Sequence, residues 1–195
     1  MTTDRRGALL DLLATRSARK GHFVLSSGKS SNLYIDARLT TMSPEGLVLI
    51  GELGATVIAR EFGRVDAVGG LTLGADPIAY AIAFHSATSS SPIRSFTVRK
   101  EAKAHGTGKL VEGPFHQGDR VVVIEDVITT GGSALRAVEA LRASGADVLG
   151  VFALVDREEG GRMVLEEQGL RVVALTTASE LLARGLTPEG QTSAI

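Results

Sequence analysis

The sequence predicts an α/β fold in which a mostly parallel sheet lies between two layers of helices. Three observations predict it. From residue 43 onward, short apolar runs alternate with helical patterns, the signature of strand–helix–strand crossovers. Two of these runs, 121–124 and 148–155, are apolar almost without interruption, as strands covered on both faces should be. A chain of 195 residues, 44% hydrophobic and 22% charged, suits one domain that buries about 70% of its unfolded surface.

The elements follow in order. Residues 4–20 read as a helix, with Asp4 as N-cap and Leu9, Leu10, Leu12 and Leu13 as its apolar face. Residues 23–40 read as short strands around a turn at 26–31. Ser43 followed by Pro44 marks a helix start, a cap and then a first-turn proline, with Leu47, Ile50, Leu53, Val57 and Ile58 as the buried stripe. Residues 65–68 form a strand, 69–74 a glycine-bounded loop, and Asp76-Pro77 opens an Ala/Ile-rich helix in which His85 reads as a structural histidine. A strand at 93–98, the run at 121–124, a helix at about 133–144, a strand at 148–155, a helix at 162–168, a strand at 171–175 and a helix at 179–183 complete the alternation. Residues 99–118 show little periodicity, and loops of that length are usually functional or disordered. The expected organisation is a single domain, 1–195, with 1–42 supplying an N-terminal helix and a small hood, and 43–195 a core carrying a flexible loop at 99–118.

Composition excludes several classes of function. With no cysteine there are no disulfides, thiolate nucleophiles, zinc fingers or iron–sulfur clusters. A net charge of -1 gives no basic coat for nucleic acid. No apolar stretch has the length of a membrane span, and the N-terminus reads as an amphipathic helix, which points to the cytoplasm. His22, His85, His105 and His116 have no metal-ligand spacing. Gly28-Lys29-Ser30 lacks the first glycine of a P-loop, where Phe23 stands, and Gly69-Gly70-Leu71-Thr72-Leu73-Gly74 lacks the spacing of a dinucleotide fingerprint.

The densest signal is Val121-Val122-Val123-Ile124-Glu125-Asp126-Val127-Ile128-Thr129-Thr130-Gly131-Gly132-Ser133. A buried strand delivers two carboxylates to its C-terminal end, where open α/β sheets bind ligands. The turn that follows offers backbone N–H groups, hydroxyls and a helix N-terminus to one point, a cradle for phosphate. Like charges repel, so the acids suit sugar hydroxyls or a metal-bridged ligand nearby. A second signal is the cluster of Arg99, Lys100, Lys103, His105 and Lys109, spaced with Gly106, Gly108 and Gly113. A mobile cationic flap of this kind can cover a diphosphate and exclude water.

The 121–133 pattern resembles the phosphoribosyl pyrophosphate (PRPP) motif of type I phosphoribosyltransferases. Three further segments extend the likeness: Phe23-Val24-Leu25-Ser26-Ser27-Gly28-Lys29-Ser30-Ser31-Asn32-Leu33-Tyr34-Ile35-Asp36, Arg99-Lys100-Glu101-Ala102-Lys103-Ala104-His105-Gly106, and Val155-Asp156-Arg157. Together they resemble the orotate phosphoribosyltransferase family over essentially the whole chain. The resemblance implies the type I phosphoribosyltransferase fold with an N-terminal hood, PRPP and orotate as substrates, and Mg2+ held mainly by PRPP and water. It also implies a homodimer whose flap closes over the neighbouring subunit's site, with no nucleic-acid or membrane partner.

Residue by residue, it implies that Thr129, Thr130, Gly131, Gly132 and Ser133 hold the 5′-phosphate, while Glu125 and Asp126 hold the ribose, with Val127 and Ile128 in the same PRPP-binding run. Arg99, Lys100, Lys103 and His105 would neutralise the diphosphate, with Lys103 and Asp126 the principal catalytic groups. Arg157 and Thr129 would contact orotate. Where many bacterial relatives carry a Lys, this chain has Ser26, and where they carry Tyr-Lys it has Thr72-Leu73. Lys29 stands close enough to substitute at the orotate site, and the backbone N–H groups of 71–74 remain to hold diphosphate. Two other readings stay open: a purine acceptor on the same fold, and a non-catalytic PRPP sensor. The 99–106 loop argues against the first, and the mildly acidic composition, with no DNA-binding extension, against the second.

Overall fold

The computed structural model describes residues 4–24, 30–101 and 109–188. Its centre is a six-stranded sheet in the order β5-β4-β3-β6-β7-β8, with β3 (Ala67–Leu71), β4 (Arg94–Val98), β5 (Val111–Glu112), β6 (Arg120–Ile128), β7 (Asp147–Asp156) and β8 (Arg171–Thr177). Every pairing is parallel except that of β5 with β4. A smaller three-stranded sheet, β2-β1-β9, joins β1 (Ala18–Val24), β2 (Ser30–Ile35) and β9 (Thr187–Pro188). The hood's sheet therefore takes its third strand from the far end of the chain.

The apolar runs divide between two cores because successive strand residues point to opposite faces. Val122 and Ile124 of β6, with Phe152 and Leu154 of β7, pack beneath α1 (Arg5–Leu12), α3 (Pro44–Phe62) and α4 (Ala75–Ser86). Val121, Val123, Val151 and Ala153 pack beneath α5 (Gly132–Ala143) and α6 (Gly161–Glu167). Among the described residues no helix is long and apolar enough to cross a membrane.

Local rules place several boundaries. Asp4 caps α1 by accepting from Gly7 N at 2.8 Å. Ser43 caps α3 by accepting from Gly46 N, with Pro44 in the first turn. Thr177 and Glu180 form a capping box on α7 (Ala178–Ala183).

Elsewhere tertiary contacts move the expected boundaries. The first helix does not run to residue 20: a π-helical turn, Leu13–Ser17, ends it, and Ala18, Arg19 and Lys20 pair with Ile35, Tyr34 and Leu33 as strand. Helical propensity there yields to pairing with β2. The expected strand content of 23–40 ends at Ile35, and a short helix, α2 (Arg38–Thr41), follows. The first strand of the core is not 65–68 followed by a loop. Gly69, Gly70 and Leu71 continue β3, paired with Phe96, Thr97 and Val98 of β4, and Gly69 also with Val123 of β6, so strand pairing outweighs glycine's poor strand propensity. On α3, Ile50 and Ile58 are buried as expected, and Leu49 and Phe62 join them, while Leu47, Leu53 and Val57 are only partly covered. His85 is exposed on α4, not part of the core. The aperiodic stretch 99–118 contains β5, and Arg94 pins residues just beyond it through Asp119 at 2.7 Å.

Candidate active site

The strand order reverses between β3 and β6. β3 continues outward to β4, and β6 continues the other way to β7 and β8. Such a switch point opens a crevice beyond the carboxyl ends of the two strands. Here the β3–β6 pairing ends at Gly69↔Val123, while β6 stays paired to β7 as far as Ile128↔Asp156. The strands part above that level, leaving a cleft of about 370 Å3.

β6 supplies the floor. It extends past the four apolar residues, so Glu125 and Asp126 lie inside the strand and not in the turn after it. Both line the cleft. Burial, the neighbouring Asp126 charge and a hydrogen bond with Asp126 push the Glu125 carboxyl up to about 8. Asp126 is also raised by burial, but the Val127 N–H, donating to its Oδ1 at 2.8 Å, and the hydrogen bond from Glu125 favour its anion. Near neutrality burial and the neighbouring carboxylate therefore favour the protonated form of Glu125. Arg136 acts on Glu125 and Arg38 on Asp126 as the nearby positive charges.

The turn at 129–133 forms one wall. Gly131 adopts φ 80°, a left-handed conformation that favours glycine, and precedes the first residue of α5. Thr129 O accepts from Gly161 N at 3.0 Å, which fastens the turn to the start of α6. N–H groups in the first turn of a helix have no intrahelical acceptor. Thr129 and Ser133 face the cleft, and Thr130 and Gly132 are exposed. The opposite wall is the loop 71–74, all of whose residues line the cleft. A Cβ on Gly74 would lie 2.5 Å from the Asp126 carboxylate carbon, so this position needs glycine for close approach alone.

The hood closes the top. Tyr34, Ile35, Asp36 and Arg38, from the end of β2 and the start of α2, line the cleft. Arg38 grips Asp36 through Nε at 2.8 Å and Nη2 at 2.9 Å, which holds the Asp36 carboxyl below its usual range. Arg157 follows the last residue of β7, as the sequence implies, and lines the cleft. Its Nη2 donates to Leu33 O at 2.9 Å and pairs with Glu159 Oε1 at 2.8 Å, so this buried guanidinium ties the hood to the sheet.

The structure thus gathers Lys100, Glu125, Asp126, Val127, Thr129, Ser133 and Arg157 around one cleft. Arg99 is not among the lining residues: it lies against Glu112 at 3.8 Å and donates to Glu101 O at 3.3 Å. Ile128 is buried in the core, and its carbonyl accepts from Arg157 N at 2.9 Å, so its side chain is turned away. Gly131 is buried beneath the turn. Lys29, Lys103 and His105 lie outside the described residues.

Sequence reasoning missed Tyr34, Asp36, Arg38 and Arg136 as lining residues. Arg136 had a readable signal, standing one helical turn after Ser133 on the face that opens α5. Arg38 had none, because its place depends on the hood folding over the sheet. Among the described residues no group of three or more His, Asp or Glu side chains forms a metal cage. The donor set is two adjacent carboxyls flanked by hydroxyls. That fits a hard ion carried in by a phosphate ligand better than one held by protein alone.

The comparisons with known proteins agree with this architecture. The model of the phosphoribosyl transferase domain family matches residues 58–168, more than half the chain. Among curated proteins, the orotate phosphoribosyltransferase of Aquifex aeolicus is 55% identical over 160 residues, covering 82% of this chain and 86% of that protein. Among solved structures, orotate phosphoribosyltransferase of Mycobacterium tuberculosis in complex with Fe(III) dicitrate superposes with a TM-score of 0.79 at 41% identity, covering 91% of this chain and 98% of that one. The same protein in complex with PRPP gives a TM-score of 0.73 at 37% identity, with the same coverage.

Proposed function

The chain belongs to the orotate phosphoribosyltransferase family, and from that premise we propose that the cleft between β3 and β6 is where it acts. The reaction transfers the phosphoribosyl group of PRPP to orotate, giving orotidine 5′-monophosphate and diphosphate on the route to UMP. The orotate ring nitrogen forms a bond to the anomeric carbon as the bond from that carbon to the diphosphate oxygen breaks. Positive charge builds on the ribose ring between the two events. No side-chain nucleophile is needed, so the protein works by positioning and electrostatics.

The observation that carries this reading is the pairing, in one cleft, of an anion cradle at 129–133 with the adjacent carboxyls of Glu125 and Asp126. Thr129, Thr130, Gly131, Gly132 and Ser133 hold the 5′-phosphate. Asp126, anionic beside protonated Glu125, faces the ribose hydroxyls and favours the positive ring. The loop 71–74 and Lys100 face the diphosphate, with Lys103, His105 and Arg99 completing the charge when the flap closes. Arg157 and Thr129 hold orotate, with Lys29 in place of the lysine absent at Ser26. Mg2+, bound by the diphosphate and water, supplies charge neutralisation to the leaving group.

The chain acts as a single domain, with 1–42 roofing the core, in a cytoplasmic homodimer whose flap serves the neighbouring site. Exposed apolar side chains on or just after α2, and on α3 and α4, support the dimer: Leu39, Met42, Val48, Tyr80 and Phe84, the last 86% exposed. The direct test follows orotate absorbance with PRPP and Mg2+, with and without chelator, beside adenine, guanine and xanthine as acceptors. Orotate consumption that stops with chelator is expected. Transfer to a purine, or none to orotate, overturns the reading.

A further inference from the structure

Asp76 is a buried carboxylate that the mechanism above does not use. It stands in the first turn of α4, two residues past the loop 71–74, and is 7% exposed. Among the described residues no ion pair involves it. Each of its oxygens instead accepts one hydroxyl: Thr72 Oγ1 donates to Oδ2 at 2.7 Å, and Thr97 Oγ1 donates to Oδ1 at 2.8 Å. Tyr80 OH lies 3.1 Å from the same Thr97 oxygen. A helix N-terminus favours an anion, but burying a carboxylate without a cation still carries a desolvation cost.

The two hydroxyls belong to two different parts of the cleft. Thr72 is in the loop 71–74, and its N–H also donates to Val98 O at 2.9 Å. Thr97 is near the end of β4, three residues before Lys100, which lines the cleft. One carboxylate therefore fixes the loop relative to the stem of the cationic segment.

The loop's composition makes that fixation matter. Leu71, Thr72, Leu73 and Gly74 include no cationic side chain, Leu73 is 54% exposed, and the one hydroxyl is taken by Asp76. Only backbone N–H groups other than that of Thr72 are left to meet an anion, and their direction is set by how the loop is held. We propose that Asp76 is a positioning residue for the diphosphate, aligning the remaining amides of the loop with Lys100 without touching the ligand. This rests on the reading that the loop faces the diphosphate of PRPP.

The test uses the full chain, with steady-state kinetics in each substrate and calorimetric titration of Mg2+-diphosphate. Asp76→Ala should raise the PRPP KM and weaken diphosphate binding about tenfold, with the orotate KM within about twofold of wild type. Asp76→Asn keeps both contacts if one threonine hydroxyl turns to accept, and should stay within about threefold. A merely structural role would lower Tm without splitting the two KM values. Unchanged PRPP KM in folded Asp76→Ala, or equal losses for both substrates, overturns the inference. If Asp76→Ala does not fold, Thr97→Val decides: a PRPP KM raised about threefold with the orotate KM unchanged supports the proposal, and an unchanged PRPP KM overturns it. Wild-type protein that binds neither PRPP nor diphosphate overturns the underlying reading instead.

Discussion

The turn at 129–133 and the loop at 71–74 sit at the C-terminal ends of neighbouring parallel strands and face each other across the cleft, yet they are built by different means. The turn carries most of its geometry in its own residues, a left-handed glycine, hydroxyls on either side and the first turn of α5, with one outside bond from Gly161 N to Thr129 O. The loop carries almost none. Its shape is held from outside, by Val98 O on the Thr72 amide and by Asp76 on the Thr72 hydroxyl. A self-contained anion cradle leaves a motif in the sequence. One held by long-range contacts leaves scattered residues that read as an ordinary helix start and strand end.

The largest effect should come from the acid pair that both walls enclose. Asp126→Asn keeps the shape and removes the charge beside the ribose, and kcat should fall about 100-fold. An unchanged kcat in the orotate absorbance assay would show that the two walls act without the floor between them. Lys103→Ala, in the cationic segment 99–106, should lower kcat by about tenfold or more, roughly 1.4 kcal/mol. Mixing Lys103→Ala chains with Asp126→Asn chains should restore part of the activity in hybrid dimers if each flap serves its neighbour. No recovery would make the site self-contained.

The two glycines separate the walls most directly. Gly131→Ala meets a backbone penalty of about 1–3 kcal/mol at φ 80°, so both Tm and activity should drop. Gly74 has an ordinary φ of -62°, so Gly74→Ala should cost about tenfold in kcat/KM with little change in Tm, because the new Cβ pushes the loop from Asp126. Equal Tm losses in the two variants would erase the distinction between local and tertiary construction.

The last effect is read on stability and not on rate, as a dependence on pH. Folded Glu125 holds its proton up to about 8, against an ordinary value of 4.5. The native state thus binds a proton that the unfolded chain releases. Its stabilisation is complete below 4.5, declines between these values and is lost as pH rises through about 8. The slope is at most about 1.4 kcal/mol per pH unit, or a few degrees of Tm. Glu125→Gln, which cannot titrate, should melt with a shallower decline between pH 6 and 9 (roughly, the span either side of neutrality). Parallel curves would place the proton elsewhere.

Much of this was legible before any coordinates. Asp4 and Ser43 announce their helices because capping is a contact within four residues. The runs in β6 and β7 announce a doubly covered sheet because both faces of each strand are buried. The errors share one cause. Ala18–Val24 becomes strand through β2, and Gly69-Gly70 stays in β3 through β4. In each case the partner lies outside the window in which propensity is read.

The sequence by itself determined the α/β alternation, the acid pair and the glycine turn beside it, since each depends on burial patterns and backbone preferences local to a few residues. Only the tertiary structure decided that Arg157 bridges hood and sheet and that Arg38 and Arg136 approach the acids. It also decided that Asp76 holds a loop to a strand twenty-odd residues away (about one strand–helix–strand unit). Those relations are distances between segments, and they exist only once the core has packed and brought the segments together.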